Sequence, residues 1–200
     1  MPMGLSGDPI DEAHNLWLLD ERFVTYSFVS SDKPITSVTN YKSRKEPDVL
    51  LIDSEEDIIN NPVAYADRSS GELNSLVIFE FKRPGETAWQ KSQSDFQWIY
   101  SELVEKYFDG FLYGQGKTNY KGRPVVVNEN TPKFGFIILD IIPKNLATYN
   151  KNKGFKQTPY GTWYKIEPEV NLHIEVITFE QLLENAHKRH KPFFDKLFVG

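Results

Sequence analysis

The sequence predicts an α/β domain with a mixed central β-sheet flanked by helices. Three observations carry that prediction. Short apolar runs are too brief for helices, longer stretches repeat their apolar residues at helical spacing, and the two kinds follow one another along the chain. With 200 residues, 40% hydrophobic and 26% charged, the chain can bury one substantial core. One domain over residues 1–200 is expected, with the Gly/Pro-containing stretch 1–10 as a loose tail.

The first helix is expected over residues 11–28. Leu16, Leu19, Phe23 and Tyr26 share one stripe, and Trp17, Val24 and Phe28 an adjacent one. Polar turn formers from Ser30 to Lys33, followed by Pro34, should end it. Residues 49–52 and 76–81 read as buried strands, separated by an acidic loop over 54–74. A second helix fits 92–107, capped by Ser92 and Asp95, striped by Phe96, Ile99, Leu103 and Tyr107, and ended by Asp109-Gly110. Residues 134–142 form a further strand, closed by Pro143. Two more strands follow at 161–166 and 173–179, joined by a turn at 168–171. A last helix occupies 180–197.

Several chemistries are excluded outright. No cysteine is present, so a disulfide scaffold, a thiolate zinc site and a cysteine nucleophile all fall away. No run reaches 18 apolar residues and no signal sequence opens the chain, so a cytoplasmic protein without a membrane span is expected. The glycines of Tyr113-Gly114-Gln115-Gly116-Lys117 lack P-loop spacing. His187 and His190 are three apart on the last helix, among Lys188, Arg189 and Lys191, and read as a solvated basic face rather than a metal site. The net charge of −5 is unevenly spread. Residues 111–165 hold nine Lys or Arg against Glu129 and Asp140, a local +7 against −12 elsewhere. That asymmetry suits a basic, nucleic-acid-facing surface, or a solvated lysine-rich loop.

The informative anomaly is charge at the end of an apolar strand. In Ile78-Phe79-Glu80-Phe81-Lys82, residues two apart share a face, so Glu80 and Lys82 point the same way. Burying both costs several kcal/mol per ion unless each finds a partner. They can pair with one another, or serve a divalent cation and an anionic substrate. Asp48 opens the preceding apolar strand, so two carboxylates on adjacent strands can share a hard cation such as Mg²⁺.

Pro47-Asp48, followed thirty-two residues later by Glu80-Phe81-Lys82, resembles the PD-(D/E)XK nuclease superfamily. The resemblance spans about residues 11–142 and implies a restriction-endonuclease-like α-β-β-β-α-β core, followed here by C-terminal strands and a helix. It implies a Mg²⁺-dependent endonuclease, with Mn²⁺ able to substitute, cutting DNA to 5′-phosphate and 3′-hydroxyl ends. Asp48, Glu80 and the Phe81 carbonyl would ligate the metal, and Lys82 would position and activate the attacking water. The family often adds an acid from the first helix, with Glu21 chosen here over Glu12 and Asp20, and a glutamine from the second, here Gln97. The C-terminal part resembles nuclease modules at the end of bacterial ATPases of anti-phage type. That likeness implies an ATPase domain or subunit as partner and a role in antiviral defence; the sequence leaves an oligomer open. The alternative is a catalytically silent or partner-activated nucleic-acid-binding module of the same fold.

Overall fold

The structure is a computed structural model that describes residues 28–31, 46–53, 73–85, 100, 107–113, 126–142 and 153–198. Its centre is a mixed sheet of seven strands: β1 (Phe28–Ser31), β2 (Val49–Asp53), β3 (Ser75–Phe81), β4 (Lys133–Leu139), β5 (Lys156–Gln157), β6 (Trp163–Glu167) and β7 (Leu172–Thr178). They lie in the order β1-β2-β3-β4-β7-β6-β5. The first three form an antiparallel meander, whereas β3, β4 and β7 run parallel at the centre.

The central strands read as unbroken apolar runs because both their faces are covered. Leu76, Val77, Ile78 and Phe79 of β3 are all fully buried. At roughly 1.5–3 kcal/mol per buried large side chain, this one strand is a major source of stability. Alternate residues feed two cores. Leu50, Leu76, Ile78, Ile137, Leu139 and Val176 face one side, where they meet Tyr107, Phe108 and Phe111. Leu51, Val77, Phe79, Ile138 and Ile177 face the other, where Leu182 closes over them.

A parallel β3–β4 pair demands a crossover connection. That connection contains a short helix, α1 (Asp109–Tyr113), entered through a π-helical turn at Tyr107 and Phe108. The expected stop at Asp109-Gly110 is therefore wrong. Gly110 and Phe111 are both buried, and core packing carries the helix through a residue that local propensity would use to end it.

The long C-terminal helix, α2 (Phe179–Phe198), starts one residue before expectation. A reciprocal cap fixes its start: the Gln181 amide donates to Thr178 Oγ1 at 3.1 Å, and the Thr178 amide donates to Gln181 Oε1 at 3.0 Å. None of the described helices is long and apolar enough to cross a membrane.

Other expectations need correcting. Phe28 and Ser30-Ser31, read as helix end and turn, instead form edge strand β1, with Phe28 opposite Ile52. Backbone pairing to β2 satisfies donors and acceptors that local turn chemistry would have claimed. The strand expected to run to Ile142 stops at Leu139, before Pro143, because Asp140 leaves the ladder and Ile141 is exposed. The turn at 168–171 is a single 3₁₀ turn (Pro168–Val170) ended by Asn171, whose φ of 49° is left-handed.

Candidate functional site

The β2–β3 register builds the site. Val49 pairs with Phe79, so extending the ladder by one residue sets Asp48 opposite Glu80. Residues directly opposite in an antiparallel pair share a face, here the face covered by Tyr107. Asp48 Oδ2 accepts the Phe81 backbone N–H at 2.6 Å. The carboxylate that opens β2 is thereby fastened to the strand carrying Glu80.

Glu80 is only 8% exposed. Lys82 Nζ lies 2.5 Å from Glu80 Oε1, as the shared face of i and i+2 requires. Burial pushes the Glu80 carboxyl above its ordinary range; Lys82 opposes that rise and the Asp48 charge adds to it. The Lys82 amide donates to the Ile138 carbonyl at 2.8 Å, which extends the β3–β4 ladder past the last residue of β3. The chain then turns at Pro84-Gly85. Gly85 has a φ of 76°, and its amide donates to Asp140 Oδ2 at 3.2 Å.

Two nearby residues carry more than the sequence suggested. Tyr107 counted only as an apolar stripe residue, yet its hydroxyl lies 3.0 Å from the Glu46 carbonyl and 3.4 Å from Glu80 Oε2. The available signal was chemical, since a buried tyrosine needs a partner for its hydroxyl. Asp140 counted only as a charge. An acid closing an apolar run, as Asp48 opens one, was the signal there.

Asp48, Glu80, Phe81 and Lys82 are thus brought together at one end of the sheet. Glu21 and Gln97 lie outside the described residues, as do Glu12, Asp20, Lys117, Lys121, Arg123, Lys144 and Lys151. Asp53 pairs with Ser75 at the opposite end of β2 from Asp48. His187 is exposed but His190 is 9% exposed, on the stripe of Leu182 and Ala186. The solvated basic face expected for both histidines therefore holds for only one.

The basic segment also divides. Lys133 is 1% exposed, and its ammonium donates to the carbonyls of Asn128 (2.8 Å), Thr131 (2.6 Å) and Val170 (2.7 Å). Lys165 pairs with Glu167 at 2.7 Å and donates to the Tyr100 hydroxyl at 2.7 Å. These two serve the fold. Lys153 and Lys156 are exposed.

The donor set fits a hard divalent cation. Two carboxylates and a backbone carbonyl offer oxygen alone, and a carboxylate has about four lone-pair sites, so the existing contacts leave acceptor capacity. Among the described residues no cluster of three or more His, Asp or Glu side chains forms a ready metal cage. Mg²⁺, which keeps several waters, requires no such cage. Compared with protein-family models, curated proteins and solved structures, the chain matches none.

Proposed function

We propose that this chain is a Mg²⁺-dependent deoxyribonuclease of the PD-(D/E)XK type, cutting phosphodiester bonds to 5′-phosphate and 3′-hydroxyl ends. One observation carries the reading: Asp48 lies opposite Glu80, and Lys82 reaches the same carboxylate from the same strand face. The succession of β1, β2 and β3, a helix and then β4, with β4 parallel to β3, supports the reading.

Asp48, Glu80 and the Phe81 carbonyl would hold the metal. When bound, it supplies Lewis-acid stabilisation of the phosphate and lowers the pKa of a coordinated water. Lys82 would position the attacking water and face the charge that grows on the phosphate. Phe81 N–H holds Asp48 in reach throughout. On this reading the chain works in the cytoplasm on DNA, as an effector attached to an ATPase domain or subunit in defence against foreign DNA.

The test is incubation with supercoiled plasmid, linear DNA and RNA, each with Mg²⁺, Mn²⁺ or chelator. Metal-dependent cutting of DNA is expected. Absence of cutting together with absence of Mg²⁺ and Mn²⁺ binding at millimolar concentration assigns the chain to the silent, nucleic-acid-binding alternative.

A further inference from the structure

We infer that Tyr107 is a positioning residue that sets the Asp48–Glu80 pair, an inference that rests on the metal-site reading for its purpose but not for its geometry. Tyr107 is 2% exposed and belongs to the same core as Leu50, Ile78, Phe108 and Ile137. Its hydroxyl is the only polar atom of that side chain and is placed between two elements of the site. It lies 3.0 Å from the Glu46 carbonyl, two residues before Asp48, and 3.4 Å from Glu80 Oε2.

A phenol has one proton to donate. Two acceptors share that proton, the Glu46 carbonyl at the shorter distance and Glu80 Oε2 at the longer, so the hydroxyl anchors both the backbone that leads into Pro47-Asp48 and the Glu80 carboxylate. Asp48 in turn reaches across to the Phe81 N–H at 2.6 Å. Helix, β2 entrance and β3 end are therefore joined by two short bonds, one from Tyr107 and one to Asp48. The local backbone fits this role. Tyr107 and Phe108 lie in a π-helical turn, and such turns recur at functional sites because the extra residue re-aims the side chains around it. Residues that orient metal-binding groups without touching the metal commonly change its affinity by about 10–100-fold when removed.

The test is Tyr107→Phe, which deletes the hydroxyl and keeps the ring. Amide hydrogen exchange of metal-free protein is read at two positions of one strand end: Phe81, whose N–H is held by Asp48, and Lys82, whose N–H is held by the Ile138 carbonyl. Exchange at Phe81 should speed up at least about tenfold while Lys82 is unchanged; general loosening of the fold would speed up both. The Mn²⁺ Kd by calorimetry should weaken about tenfold or more. Tyr100→Phe is the control, since that hydroxyl serves Glu167 and Lys165 and should move neither readout. Wild-type exchange at Phe81 in Tyr107→Phe overturns the inference, as does equal acceleration at Phe81 and Lys82. A wild-type protein that binds no Mn²⁺ overturns the metal reading instead, and the exchange comparison still decides the role of Tyr107.

Discussion

Asp48 and Phe81 are joined by a 2.6 Å hydrogen bond from the Phe81 backbone to the Asp48 carboxylate, which fixes an acidic side chain across two strands without using a second cation. Because the acceptor is an ion, such a bond is stronger than one between neutral groups. Asp48→Asn keeps an oxygen acceptor for that N–H but removes the charge. Its melting temperature should stay within a few degrees of wild type, while Mn²⁺ binding by calorimetry disappears. Retained binding would remove Asp48 from the metal site.

Lys82 should matter twice. It pairs with a carboxylate that is almost fully buried, so Lys82→Ala leaves Glu80 without its cation and should cost about 3 kcal/mol of unfolding free energy. Plasmid cutting should also slow at least about a hundredfold, within the range expected when a group acting on the attacking water is lost. The double variant Glu80→Gln, Lys82→Met separates the two effects. Denaturant unfolding should show stability recovered, whereas cutting stays lost.

Lys133 predicts a pH dependence of stability. Burial lowers its pKa from 10.5 to about 8, because the ammonium has left water for a cage of carbonyls. The unfolded chain therefore binds more protons than the folded one between those two values, and this group makes stability rise with pH across that window. Urea unfolding at pH 7.5, 9 and 10 should show that rise in wild type. Lys133→Met should lose this component of the slope, and it should also be less stable at every pH because three carbonyls lose their donor.

Glu167 predicts the acid side. Burial raises its pKa, but hydrogen bonds from Lys165 and Tyr100 and the Lys165 charge outweigh that and hold it below the ordinary value of 4.5. The stabilisation is present above the unfolded pKa and is lost as pH falls through the folded one. Acid unfolding followed by circular dichroism should show wild type more stable than Glu167→Gln at pH 6. The gap should close as pH drops towards 3.

Salt dependence distinguishes the lysines. Neutralising Lys153 and Lys156 should flatten the log–log salt slope of duplex binding by about one to two units, roughly 0.9 per lost phosphate contact. Measured in Ca²⁺ to suppress cutting, Lys165→Gln should leave the slope alone, because that charge is already spent on Glu167 and Tyr100. A slope that flattens with Lys165 and not with Lys153 and Lys156 would reverse the assignment.

The sequence by itself determined the α/β class, the strands at 49–53, 75–81, 133–139 and 172–178 to within a few residues, and the shared face of Glu80 and Lys82. All of these follow from local rules. Apolar runs of five to seven residues have few other fates, and residues two apart on a strand must share a side. Tertiary structure decided what depends on partners distant in sequence. Phe28–Ser31 became a strand because β2 offered it a ladder. Gly110 stayed helical because Phe111 had a core to enter. Lys133 and Lys165 carry the same charge as Lys156, yet three carbonyls from two turns surround the first and a carboxylate holds the second. Tyr107 signalled that its hydroxyl needed a partner but not which partner. Only folding brought its hydroxyl, the Glu46 carbonyl and Glu80 to one point, because a hydrogen bond between residues 61 positions apart is set by topology and not by sequence spacing.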